Sequence, residues 1–192
     1  LGVTKGTCNN PLFDALEEAG PQSGQGHSDD LNGYNPEGIA RLDATRKNGR
    51  RCSAAVAHLR PAIARGNVTL ITRAQVEKIN LNGNSVTGIS YRSKGKLHTT
   101  EANKEVILSG GAINSPHLLM LSGIGPAKHL KEHGIDTQID LPGVGQNLQD
   151  HATTILQYAC KKSFPIHKVN QPHRKLATGL RWVFTRKGMA TS

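Results

Sequence analysis

Two consecutive glycines, Gly110-Gly111, stand directly behind the apolar run Glu105-Val106-Ile107-Leu108-Ser109 and just ahead of Ser115-Pro116. A short apolar run closed by glycine predicts a strand buried on both faces. Two glycines let a backbone pass close to a ligand where a Cβ would clash. Ser115 at the N-cap and Pro116 at the first helical position predict a helix carrying Leu118, Leu119 and Leu121. Strand, glycine pair and helix start together are an α/β device. The free N–H groups and positive dipole end of such a helix suit a phosphate or pyrophosphate. A tight turn with no ligand satisfies the same pattern. The chain has neither G-x-G-x-x-G nor G-x-x-x-x-G-K-[ST], so this turn is not the primary phosphate grip of a nucleotide site.

The residues before this device predict a different architecture. Val68-Thr69-Leu70-Ile71-Thr72 is β-branched and reads as a strand. Gln75 to Leu81, Ser85 to Tyr91 and Leu97 to Thr100 read as three more, turning at Asn82-Gly83-Asn84 and Lys94-Gly95-Lys96. That is an antiparallel hairpin array. Pro11 to Ala19 predicts a helix with Leu12, Phe13 and Leu16 on one face, stopped by Gly20-Pro21. The polar stretch from Gln22 to Gly38 is a loop. Ser53 is a candidate N-cap for a helix through Leu59 and on toward Gly66. Gly123-Ile124-Gly125-Pro126 ends the helix that follows Ser115, and Ala127 to His133 is a short helix closed by Gly134. Thr153 to Cys160 reads as a strand and Leu176 to Phe184 as a helix.

Composition sets the limits. The 192 residues suffice for one domain or two small ones. Aromatic residues are only 4%, so aliphatic packing carries the core, or part of the core lies on other polypeptide. Lys and Arg number 24 against 14 Asp and Glu, a formal charge of +10. That balance admits a basic binding module for anionic ligands or nucleic acid, but the clusters are small and none is interleaved with aromatics. No run is long enough for a transmembrane helix, and no signal peptide is visible from Leu1 to Asn10. Opening on Leu1 reads as a processed, truncated or cloned segment.

The usual chemical constellations are weak. Cys8, Cys52 and Cys160 are far apart and form no C-x-x-C, as reduced thiols of a cytoplasmic protein would be. Cys52 beside Arg50 and Arg51 admits a lowered thiol pKa, but with no histidine partner a buried, inert thiol is favoured. His129 and His133 lie at i and i+4, yet no third ligand or intervening Glu accompanies them, so no metal is expected. His133 reads better as a cation at a helix C-terminus. Asp150-His151 lacks any G-x-S-x-G nucleophile.

The stretch Gly111-Ala112-Ile113-Asn114-Ser115-Pro116-His117-Leu118-Leu119-Met120-Leu121-Ser122-Gly123-Ile124-Gly125 resembles the second signature of the glucose–methanol–choline (GMC) flavoprotein oxidoreductases. Leu141-Pro142-Gly143-Val144-Gly145-Gln146-Asn147-Leu148-Gln149-Asp150-His151 resembles a further block of the same family. Asp29-Asp30-Leu31-Asn32-Gly33-Tyr34, Gly49-Arg50-Arg51-Cys52-Ser53-Ala54 and Asn67-Val68-Thr69-Leu70 are similar to its choline dehydrogenase-type members. The likeness runs in order along nearly the whole chain.

The resemblance implies FAD as cofactor and an α/β plus α+β fold. Part of a Rossmann-like FAD-binding domain would be joined to the beginning of an antiparallel-sheet substrate domain. It divides the chain into a mixed helix and loop segment at the domain boundary (1–50), a part of the FAD-binding domain (51–150) and the start of the substrate-binding domain (151–192). It places Val76 at the FAD adenine through its backbone, and Ser109, Gly110, Gly111 and Ala112 beside the adenosine and diphosphate. It puts the family's dinucleotide motif ahead of Leu1 and its catalytic pair beyond Ser192, so no catalytic residue is expected here. The implied reaction is oxidation of a small primary alcohol by hydride transfer to flavin, in a cytoplasmic or peripherally membrane-bound parent. The isolated chain is expected to be inactive.

Overall fold

Asn82-Gly83 and Lys94-Gly95 reverse the chain between three strands that pair in sequence order, as the hairpin pattern predicts. The computed structural model describes residues 1–6, 10–155 and 167–191. Along the chain run β1 (Thr4–Lys5), α1 (Pro11–Gln22), β2 (Asp43–Ala44), β3 (Arg46–Lys47), β4 (Arg50–Arg51) and a π-helical turn at Ala55–Leu59 leading into α2 (Arg60–Ala64). Then come β5 (Ala74–Asn82), β6 (Ser85–Ser93), β7 (Lys96–Glu101), α3 (Gly111–Leu121), β8 (Ile124–Gly125), α4 (Ala127–Glu132), β9 (Ile139–Asp140) and α5 (Pro172–Thr185). The chain divides into two units, one of Leu1–Thr69 with Leu156–Ser192 and one of Leu70–Ile155.

In the first unit, Asn10 caps α1 by accepting the Leu12 N–H on its side-chain oxygen at 2.9 Å. Arg41 ties the helix down, donating to Glu17 at 3.1 Å and to Asp14. The helix continues through Gly20-Pro21 to Gln22, past the predicted stop, because the Ser23 amide closes the last turn on Ala19 and Gly20 carbonyls at 2.9 and 3.2 Å. Leu12, Phe13 and Leu16 share a face as expected, but each stays 40–53% exposed. The Trp182 indole on α5 donates to the Gly49 carbonyl at 2.7 Å and carries the Arg186 guanidinium 4.5 Å from its ring centre. Cys52 is buried, and the Gly2 amide points at its sulfur from 3.3 Å.

In the second unit, β5, β6 and β7 form an antiparallel sheet in that order. Between Val76↔Tyr91 and Lys78↔Ser90 the register slips, leaving Glu77 as an extra residue on β5. A small core joins this sheet to α3 and α4. Ile79, Ile124, Leu130 and Val144 are buried, with Ser122 among them at 1% exposure. Burying an aliphatic side chain such as Leu130 is worth about 1.5–3 kcal/mol. β8 and β9 add one short parallel pair.

Four predicted features form differently. Residues 68–72 are not a strand; Val68, Leu70 and Ile71 stay exposed and nothing pairs with them among the described residues. Strand preference reflects fit to a neighbour, and here there is none. Residues 105–109 belong to no sheet among the described residues, and Ile107 is 76% exposed rather than buried on both faces. Helix α3 starts at Gly111, four residues before the predicted N-cap, so Pro116 lies inside it. The Ser115 hydroxyl instead accepts the Gly110 amide at 3.1 Å, fastening the chain just ahead of the first turn. Of the predicted strand 153–160, residues 153–155 form none and 156–160 lie outside the described residues.

Candidate functional site

An open cavity of about 370 Å³ lies beside β5 and α3. Its apolar wall is built by Val76, Ile89, Val106, Leu108, Leu118 and Leu121. Gln75, Asn114, Ser115 and His117 give it a polar rim. Mostly apolar walls with a few placed polar groups are the usual make-up of a small-molecule site of this size.

Each wall follows from local sequence. Val76 is half-buried on β5 next to the Glu77 bulge, where the regular ladder is interrupted. Residues 106–110 line the same cavity, with backbone N–H and C=O groups outside any sheet among the described residues. On α3, Asn114, His117, Leu118 and Leu121 recur at i, i+3, i+4 and i+7 and so share one helical face.

Val76, Ser109 and Gly110 thus line one cavity. Gly111 and Ala112 do not; they form the exposed first turn of α3. The two glycines serve different ends. A Cβ on Gly110 would come within 3.1 Å of the Asn114 Cβ and 3.2 Å of the Ser115 amide, so the helix itself crowds it. Gly111 has φ +85° and open space around it, so there the backbone conformation favours glycine. Asn114, His117 and Gln75 are cavity residues that no sequence motif marks; a helix start at Gly111 adds Asn114 to the face that His117, Leu118 and Leu121 already share.

The other candidates resolve simply. The His129 and His133 rings meet edge to face at 4.7 Å, and no cluster of three or more metal-ligating side chains occurs among the described residues. His133 caps the C-terminus of α4 as expected. Asp150 accepts the amide of its neighbour His151 at 2.8 Å, a local turn contact, and both are exposed. No helix of the described residues is long and apolar enough to cross a membrane.

A dinucleotide's adenosine end fits what is present. Val76, Leu118 and Leu121 give the cavity apolar side chains against which a base could pack, and the backbone of 106–110, in no sheet among the described residues, offers donors and acceptors beside them. The N-terminus of α3 stands at the end of that segment.

The family model of the GMC oxidoreductases matches residues 1–153. The chain is 47% identical over all 192 residues to an oxygen-dependent choline dehydrogenase of Staphylococcus saprophyticus, and 45% identical to one of Staphylococcus aureus. It spans 34% of the length of each. Among solved structures it is similar to a formate oxidase of Aspergillus oryzae, with a TM-score of 0.80, 27% identity, and 95% of this chain and 32% of that one covered. An FAD-dependent oxidoreductase from Chaetomium thermophilum matches with a TM-score of 0.64 and 29% identity, covering 75% of this chain and 26% of that one. The match over residues 1–153 and the shared architecture make this chain a member of the GMC oxidoreductase family.

Proposed function

We propose that this polypeptide forms part of an FAD-dependent oxidoreductase acting on a small primary alcohol, on the pattern of choline dehydrogenase. FAD is the cofactor of the family. In this reading the chain supplies one wall of the site for the adenosine end and part of a Rossmann-like domain. Residues 151–192 begin the substrate domain. The observation that carries it is the convergence of Val76, Ser109 and Gly110 on one cavity beside the family signature.

When bound, FAD supplies the acceptor for a hydride from the alcohol carbon. The residues of this chain bind and orient rather than react. The Val76 backbone, beside the bulge at Glu77, would meet the base edge. Leu118 and Leu121 would cover its face and exclude water. Ser109 and Gly110 would bring the backbone toward the first phosphate, with the free amides of α3 beyond them. No base for the alcohol proton is assigned within these residues, and the 192-residue polypeptide by itself is expected to turn over no alcohol. The basic-module alternative gains nothing from the relatives.

The test is to purify the product of the whole reading frame and to measure bound flavin and choline-dependent flavin reduction. About one FAD per chain, reduced on adding choline or another primary alcohol, is expected. A protein that folds without retaining flavin, even after incubation with FAD, would overturn the reading.

A further inference from the structure

Ser122 is 1% exposed and belongs to no wall of the cavity, yet its hydroxyl joins the two elements that make the walls. Its oxygen accepts the Ile79 amide of β5 at 2.8 Å, and its proton goes to the Leu118 carbonyl of α3 at 2.7 Å. β5 is the outer strand of its sheet, paired with β6 only, so its outward amides have no strand to bond. A buried amide left in that state would be costly. Ile79 is 3% exposed and stands three residues from Val76, on the far side of the Glu77 bulge. The ladder holds Val76 against Tyr91 and resumes at Lys78↔Ser90 after the slip at Glu77, so the Ser122 bond at Ile79 is a second anchor for this stretch of β5, on the side facing α3. Leu118, whose carbonyl takes the hydroxyl proton, lines the cavity directly.

We propose that Ser122 is a positioning residue for the cofactor, setting the spacing between the Val76 wall and the α3 wall of the adenosine cavity. The inference rests on the adenosine reading of that cavity. Its consequence is selective: removing the hydroxyl loosens the grip on the adenosine half of the cofactor and leaves the flavin half alone. Ser122→Ala deprives the buried Ile79 amide of its acceptor while adding no bulk.

The experiment uses flavin-free protein from the whole reading frame and three probes: FAD, ADP and FMN. ADP carries the adenosine and diphosphate without flavin, and FMN carries the flavin without adenosine. In the unsubstituted protein ADP competes with FAD. In Ser122→Ala the Kd values for FAD and ADP both rise about tenfold, the effect of losing one buried hydrogen bond, while that for FMN is unchanged. Ser122→Cys, which keeps a weak donor and acceptor of similar shape, falls between. Far-UV circular dichroism checks that each variant is folded to the same extent. Equal weakening of all three probes would reduce Ser122 to a general structural role and overturn the proposal, as would no weakening at all. Failure of ADP to compete with FAD in the unsubstituted protein would instead overturn the adenosine reading, and the proposal with it.

Discussion

Gly123 and Gly134 occupy the same place in two helices, and only one of them is crowded. Each follows a helix cap, Ser122 after α3 and His133 after α4, with φ of +83° and +68°. Replacing either by alanine puts a Cβ into the left-handed region, at about 1 kcal/mol. For Gly134 nothing lies within 4 Å of the added carbon, so that is the whole cost. For Gly123 the carbon would come to 2.6 Å from the Asp136 carbonyl oxygen and 2.7 Å from the Gln138 side chain, inside the 3.0 Å that real Cβ atoms keep. Residues 136–138 would have to move, although the Gly123 carbonyl holds the Gln138 and Ile139 amides at 2.8 and 3.1 Å. Overpacking of this kind adds about 2 kcal/mol, so Gly123→Ala totals about 3 kcal/mol. For a unit the size of residues 70–155, each kcal/mol lowers Tm by about 4–8 °C. Thermal unfolding should therefore fall by about 15 °C for Gly123→Ala and about 5 °C for Gly134→Ala. Equal losses in the two variants would refute the steric half of this reasoning.

Three further outcomes follow from single contacts. Trp182→Phe removes the donor to the Gly49 carbonyl and should lower stability by about 1 kcal/mol, seen as a drop of about 0.5 M in the urea midpoint. Arg92 grips Glu77 with two nitrogens at 2.7 and 3.2 Å, and hydrogen bonding and then the Glu77 charge hold its guanidinium above the ordinary range. A raised folded pKa gives stability that is complete below the unfolded value and lost only in strong alkali, so this pair adds no pH dependence near neutrality. The pair is solvent-exposed, so Arg92→Ala should cost less Tm than Gly134→Ala and lose its effect in concentrated salt. Gly110→Trp places a large side chain at the cavity edge and should yield folded protein that purifies with little flavin, read from the visible spectrum.

Local chemistry was legible wherever it closes on itself. The three-stranded sheet rests on two glycine turns and alternating apolar residues, all contained within residues 74–101, and its strands form as read. The runs at 68–72 and 105–109 are apolar segments whose conformation depends on partners distant in sequence, and periodicity carries no information about those. The shift in α3 has another origin. Ser115-Pro116 is a strong start signal, but the helix begins at Gly111 and keeps Pro116 at its sixth position, giving up the bond to the Ala112 carbonyl that a proline cannot make. That shift left Asn114 outside the expected helix, while Val76, Ser109 and Gly110, which line the cavity, were named from the family resemblance. Ser122 was invisible to the sequence reading, since its role depends on a strand 43 residues away.

The most direct measurement is a crystal structure of the flavin-loaded protein. The account predicts the adenine ring in the cavity beside β5 and α3, with a hydrogen bond to the Val76 backbone and with Ser109 and Gly110 along the adenosine. Adenine bound elsewhere, with that cavity filled by water, would contradict it.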